Sequence, residues 1–273
     1  MLQTNYIVNH PKKTRNLVIG LCSDEADLRQ YQRLRYIVYE KEFGYPQTSA
    51  VERIDEDIFD RTCDHLLVKQ EETGEVVGGY RLLTGKKALR IGGFYADEEF
   101  DIVQLNSRRA HLLEIGRACV HPNYRTGATL ALLWREIVKY AFTQQCRYIM
   151  GSASVSLKDN GAAARAIMNI SKPTDINFTI RPRRPLPKQF LSGHSNAPIV
   201  PLIKSYLRAG ALIIGQPTWD SEFNTADFFM FLPLAGVTDK YARHFVKSEN
   251  SDRASLLQRH GLFWGSHLFY HLK

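Results

Sequence analysis

The chain has 273 residues, of which 44% are hydrophobic and 23% charged, ordinary values for a soluble globular protein able to bury a substantial core. A formal net charge of +8 favours an acidic partner, and nucleic acid, anionic lipid and an acidic carrier protein all satisfy it. Cys22, Cys63, Cys119 and Cys146 are widely spaced without a CxxC pair, which argues against a zinc site, a redox motif or a secreted disulfide framework. No zinc-finger, RNP or basic-zipper pattern is present, which counts against nucleic acid. No apolar run reaches bilayer length and the N-terminus lacks an apolar h-region, so the expected location is cytosolic, with contact at a membrane surface left open.

Residues 1–16 read as an arm and Leu17 to Cys22 as a short buried strand. Ser23 or Asp24 then caps a helix with an acidic first turn, Asp24, Glu25 and Asp27, whose apolar stripe is Leu28, Tyr31, Leu34 and Val38. Arg35 stands at the edge of that stripe, either reaching into a cleft or snorkelling at the surface. Phe43-Gly44-Tyr45-Pro46 ends the helix. The acidic loop that follows, with Glu52, Asp55, Glu56, Asp57 and Asp60, either holds a cationic amine or is solvated. Asp64–Lys69 and Glu75–Leu83 read as a hairpin turning at Thr73-Gly74, with Gly78-Gly79 marking a bulge or close approach. Residues 84–106 have mixed character and read as a loop.

The stretch from Leu112 to Trp134 organises the rest. It runs from a half-buried strand through a Pro-Asn turn to the basic loop Arg125-Thr126-Gly127-Ala128, then into a helix with apolar residues at Leu130, Leu133, Trp134, Ile137 and Ala141. Free amides of a first helical turn, the helix dipole and an adjacent glycine make such a turn an anion site. Beyond it come a strand at Tyr148–Val155, a helix at 160–170 and a basic, proline-rich insertion at 172–200, read as exposed. A short helix at Pro201–Leu207 and strands at Ala211–Gly215 and Ala226–Leu232 follow. Residues 238–273 form an amphipathic C-terminal extension, packed on the body or lying at a membrane interface. This alternation predicts an α+β fold with a mixed sheet, over a domain spanning 17–237.

Four motifs recur in order: Arg35-x-x-Val38, Asp57-x-x-Asp60, Val77-Gly78-x-Tyr80-Arg81-Leu82-Leu83 and Glu114-x-x-Arg117. With them the chain resembles the N-acyl-homoserine-lactone synthases. It resembles still more the bacterial N-acyl amino acid synthases, the ornithine-lipid N-acyltransferases and the hemolysin-like proteins grouped with them, within the Gcn5-related N-acyltransferase (GNAT) superfamily. Cys119-Val120-His121-Pro122-x-Tyr124-Arg125-x-Gly127, Leu133-Trp134-Arg135, Pro201-Leu202-Ile203-Lys204-x-Tyr206-Leu207-Arg208 and Phe223-Asn224-Thr225-x-Asp227 favour the ornithine-lipid group. Tyr39 and Tyr45 stand where lactone synthases carry Phe and Trp, which argues against a lactone product.

The resemblance implies a GNAT-like fold, a central mixed, mostly antiparallel sheet flanked by helices, with a C-terminal extension. It implies acyl transfer from acyl carrier protein, or less often coenzyme A, to the α-amine of an amino acid by direct attack on the thioester, with no permanently bound cofactor and no metal. Glu114 is the implied base, and backbone N–H groups around Ala118 to Val120 the oxyanion donors. Arg125, Thr126, Gly127 and Ala128 would hold the pantetheine phosphate. Arg35, Arg81 and Arg117 are available for the amino acid's carboxylate or for a network with Asp57 and Asp60. Strand parity sends Glu114 and Arg117 to opposite faces unless a bulge intervenes. A rival reading takes Cys119 as nucleophile with His121 beside it. His65 reads as a core histidine. A non-catalytic protein binding an acyl carrier or a membrane surface is the alternative from another class.

Overall fold

A computed structural model describes residues 4–10, 13–44, 53–171 and 177–236, so the expectations for Tyr45, Glu52 and the 238–273 extension lie outside the described residues. Two compact units divide the chain, Met1–Pro233 and Leu234–Lys273, the second described only as a 3-10 turn at Leu234–Gly236. A hairpin of β1 (Thr4–His10) and β2 (Lys13–Leu21) opens the first unit. The segment expected as an arm is therefore paired strand, because it covers an edge of β2 that would otherwise leave its amides and carbonyls open.

Helix α1 (Glu25–Phe43) begins where the Asp24 carboxylate accepts the Asp27 N–H at 2.8 Å and ends at left-handed Gly44. It buries Tyr31, Leu34 and Val38 against Leu67 and Val76. Those two residues lie on β3 (Asp64–Gln70) and β4 (Val76–Thr84), the expected hairpin. Gly79 is required by approach: a Cβ there would lie 2.6 Å from the Leu66 carbonyl and 2.8 Å from the Tyr31 ring.

Residues 84–106, expected as a loop, fold instead into α2 (Gly85–Ile91), α3 (Ala96–Glu99), β5 (Phe100–Asp101) and the start of a 3-10 helix, Val103–His111. The cause is burial. Phe94, Phe100, Ile102 and Leu105 are inserted with Leu83, Met150, Phe229 and Phe231 into one core cluster.

The remaining elements are β6 (Leu112–Val120), α4 (Gly127–Thr143), β7 (Tyr148–Ser156), α5 (Ala162–Ile170), β8 (Arg181–Pro182), α6 (Lys188–Leu191), α7 (Pro201–Ala209), β9 (Leu212–Ile213), β10 (Thr218–Asp220) and β11 (Thr225–Pro233). Part of the insertion expected to be exposed is tied down. β8 pairs with β5, Ile180 and Leu186 are buried, and the Arg183 amide donates to the Glu99 carbonyl at 2.8 Å.

Among the described residues nine strands form one sheet in the order β1-β2-β3-β4-β6-β7-β11-β10, with β9 also on β11. The strand pairs of this sheet are antiparallel except β6–β7, which run parallel because α4 provides the crossover. The alternation of elements predicts a mixed sheet, and the resemblance implies that it is mostly antiparallel, as it is here.

Candidate active site

β6 and β7 pair only from Leu112↔Tyr148 to Glu114↔Met150 and then separate. On the other side of β6, Gly79 faces Cys119 while Arg81 faces Gly116, so β6 carries an extra residue against β4. Arg117 (φ +49°) marks that bulge. Two hydroxyls hold it: Tyr31 donates to the Arg117 carbonyl at 2.6 Å and Tyr39 to the Ala118 carbonyl at 3.3 Å. A cavity of about 200 Å³ opens along this separation.

Side-chain alternation along β4, β7 and β11 divides the cavity wall in two. One half is aromatic and apolar, with Tyr39, Tyr80, Trp134, Tyr206, Met230 and Leu232; the other carries Arg81, Glu99, Glu114, Arg117, Ser152 and Asp227. Gly151 lies at the branch point, where a Cβ would sit 2.3 Å from the Ile115 carbonyl. Gly151→Ala is expected to force β7 away from β6 and cost about 1–3 kcal/mol, read from the urea midpoint; wild-type stability would contradict this packing.

Glu114 is 7% exposed, and its two oxygens accept the N–H groups of Tyr95 at 2.9 Å and Ala96 at 2.7 Å. It thereby caps α3, which has no side-chain cap of its own. Burial pushes the carboxyl up to about 7, outweighing the two amides and Arg81, which favour its charged form. A carboxyl so raised can take up or release a proton near neutral pH. The parity conflict with Arg117 is resolved by the bulge, which brings both residues to the cavity.

Arg35 and Asp60 do not reach the cleft. Arg35 is 0% exposed, donates to both Asp60 oxygens at 3.0 and 2.7 Å and lies 2.7 Å from the Asp55 carboxylate. Its long side chain turns under α1 because Asp55 and Asp60 are buried there and need a cation. Asp57 bridges the two remaining arginines, 2.5 Å from Arg81 and 2.9 Å from Arg117, and does not line the cavity either. Of the two roles open to Arg35, Asp57 and Asp60, the geometry shows the network: they lie off the cavity wall and hold Arg81 and Arg117 at it. His65 is a core histidine whose Nε2 donates to the Asp60 carbonyl at 2.9 Å.

Of the residues expected to hold the carrier, Ala118 lines the cavity, whereas Val120, Arg125, Thr126, Gly127 and Ala128 do not. Thr126 caps α4 by accepting the Thr129 N–H at 3.1 Å. Arg125 donates to the Val120 carbonyl at 2.9 Å and pairs with Glu42, a residue of the cavity wall. The α4 N-terminus therefore stands beside the cavity rim, and a Cβ at Gly127 would meet open space.

A family model described as Acetyltransferase (GNAT) domain matches residues 34–135. An L-ornithine N(alpha)-acyltransferase of Rhodobacter capsulatus is 31% identical, the match covering 84% of this chain and 94% of that protein. The enzyme of the same name from Brucella abortus is 32% identical over 86% of this chain and 90% of its own. The chain belongs to the L-ornithine N(alpha)-acyltransferase family. It is an acyltransferase of GNAT fold. FeeM, an N-acyl amino acid synthase from uncultured soil microbes, shares that fold with a TM-score of 0.51 and 12% identity, over 83% of this chain and 95% of that one.

Within this family member the rival cysteine chemistry has no geometry. Cys119 is 4% exposed among the core residues under α1, and burial pushes its thiol far up, away from thiolate. His121 turns instead to the next loop, where its Nδ1 accepts the Asn123 N–H at 3.2 Å. Sequence reasoning missed Glu99, Ser152 and Tyr95. Glu99 sits in a four-residue helix with no periodicity to reveal it. Asp227 was visible only as part of the Phe223–Asp227 motif, with no role attached.

Proposed function

We propose that this acyltransferase moves a 3-hydroxy fatty acyl group from the pantetheine thioester of acyl carrier protein to the α-amine of ornithine, giving N-acyl-ornithine, a lyso-ornithine lipid. The observation that carries this reading is Glu114, a buried carboxyl raised towards neutrality on the wall of a cavity with one polar and one apolar half. The names of the relatives supply the acceptor.

An α-amine of pKa about 8 is mostly protonated at neutral pH, so attack needs a base. Glu114 accepts that proton, directly or through water, and the amine nitrogen bonds to the thioester carbon. Backbone N–H groups of Ala118 to Val120, on the part of β6 that has left β7, stabilise the oxyanion. Collapse breaks the C–S bond, and the departing sulfur takes the second proton that the attacking nitrogen gives up as the amide forms. Arg81 and Arg117 meet the α-carboxylate from the polar wall, while Tyr80, Trp134 and Tyr206 receive the acyl chain. The α4 amides at Gly127 to Thr129 bind the pantetheine phosphate, and the net charge of +8 draws the acidic carrier and the cytoplasmic membrane surface where the amphiphilic product leaves.

The test is incubation of the purified protein with ornithine and either a 3-hydroxyacyl carrier protein or the matching coenzyme A thioester, read by mass spectrometry. An N-acyl-ornithine forming faster from the carrier protein supports the reading. Preference for the coenzyme A thioester would overturn the donor, and thiol release without any amide product would overturn the reaction.

A further inference from the structure

Glu99 and Asp227 are 4% and 2% exposed, line the polar half of the cavity and are bonded to one another. Hydroxyls complete their surroundings. Ser152 donates to Glu99, Ser154 to Asp227, and Thr225 donates to Asp227 at 2.9 Å. The side chains on β7 and β11 are spaced every second residue, so all of them face the same side of the sheet.

The neighbouring carboxylates are arranged differently. Asp55, Asp57 and Asp60 are each matched to an arginine. Among the described residues no lysine or arginine forms an ion pair with Glu99 or Asp227, and the largest charge effects on Glu99 come from Asp227, Glu114 and Asp220, all negative. Burial and then this mutual repulsion push the Glu99 carboxyl up; burial does the same to Asp227. No ion pair among the described residues offsets the burial of these two carboxyls. Among the described residues no group of three or more His, Cys, Asp or Glu is set to hold a metal ion.

Their place in the cavity says what cation fits. The amides holding Glu114 are at the start of α3, and Glu99 is its last residue, one helical turn or on the order of 5 Å further along the wall. A short diamino acid with its α-amine at Glu114 is long enough to bring its second amine to Glu99. We propose that Glu99 and Asp227 receive the side-chain ammonium of a diamino acid acceptor and so select it over neutral amino acids of equal length. This rests on the acyl-transfer reading above and names the group that reads the acceptor's far end. Ser152, Ser154 and Thr225 position the two carboxylates.

The experiment compares kcat/KM for ornithine with that for 2-aminopentanoate, the same carbon chain without the terminal amine, in the wild type, Glu99→Gln and Asp227→Asn, alongside calorimetric binding of both amino acids. The ornithine preference is expected to fall about tenfold or more in each variant, through KM, with ornithine binding weakened in parallel. A ratio unchanged in both variants overturns the inference. If either variant fails to fold by circular dichroism, Ser152→Ala and Ser154→Ala must lower the same ratio, and no shift overturns it. Should the wild type acylate both amino acids equally, acyl transfer stands and the inference falls. Should it acylate neither, the acyl-transfer reading falls, and loss of ornithine binding in Glu99→Gln still decides the inference.

Discussion

Glu114→Gln is expected to lower kcat for acyl transfer by about 10²–10⁴-fold, the usual contribution of a positioned general base. The change removes the charge with little change of volume. It also places an amide NH₂ against the N–H of Tyr95 or Ala96, since a carboxylate accepts from both and Gln has one acceptor oxygen. A stability loss of about 1–3 kcal/mol should therefore accompany the kinetic one.

The pH profile separates the two effects. In the wild type, kcat/KM should fall below about pH 7 as the Glu114 carboxylate is protonated, and the substrate amine adds a second ionisation at about pH 8. The variant should keep only the amine's limb. Activity within about threefold of wild type, or an unchanged profile, would remove Glu114 from the chemistry. The stability linkage runs in the opposite direction to activity. A carboxyl raised from 4.5 to about 7 binds its proton in the folded state at pH values where the unfolded chain has lost it. Its contribution to stability is thus greatest below the ordinary carboxylate range and is lost as pH rises to about 7. The site is favourable for catalysis at the pH where it is least favourable for folding.

Arg35→Met should be the most destabilising single change in the network, at about 3–5 kcal/mol, because it leaves Asp55 and Asp60 buried and short of their cation. Burial alone would raise the Asp60 carboxyl. Hydrogen bonds from Arg35, with Arg81 and Gln32, instead hold it well below the usual carboxylate range. A depressed carboxyl stabilises the fold above its ordinary range, and that stability disappears as pH falls towards the folded value. Arg35→Met should thus show both a lower urea midpoint at neutral pH and a weaker dependence on acid. Arg35→Met with Asp60→Asn is expected to recover part of the loss. A single variant within about 1 kcal/mol of wild type would mean that the network holds no significant energy.

Local rules made much of the scaffold legible. Asp24 before an acidic turn, the stripe Leu28-Tyr31-Leu34-Val38 and Gly44 specify α1 through neighbours a few residues apart. The β3–β4 hairpin and the apolar face of α4 are legible for the same reason. Glu114, Arg81 and Arg117 could be singled out by motif resemblance, and the structure brings all three to the cavity.

The direction of a side chain at the edge of a stripe was not legible. Arg35 has equal local freedom to point into a cleft or under its helix, and two aspartates more than a turn of helix away decide it. Residues 84–106 show the same limit. Their short elements have too few turns for a period, and their stability comes from the core that Phe94 and Phe100 enter. The sequence by itself determined most of the longer strands and helices and the capped start of α1, and resemblance singled out Glu114, Arg81 and Arg117. Only the tertiary structure decided the bulge at Arg117, the parting of β6 from β7 and the meeting of Glu99 with Asp227. These depend on pairings between strands far apart in the chain, and no pattern within one segment records its partner.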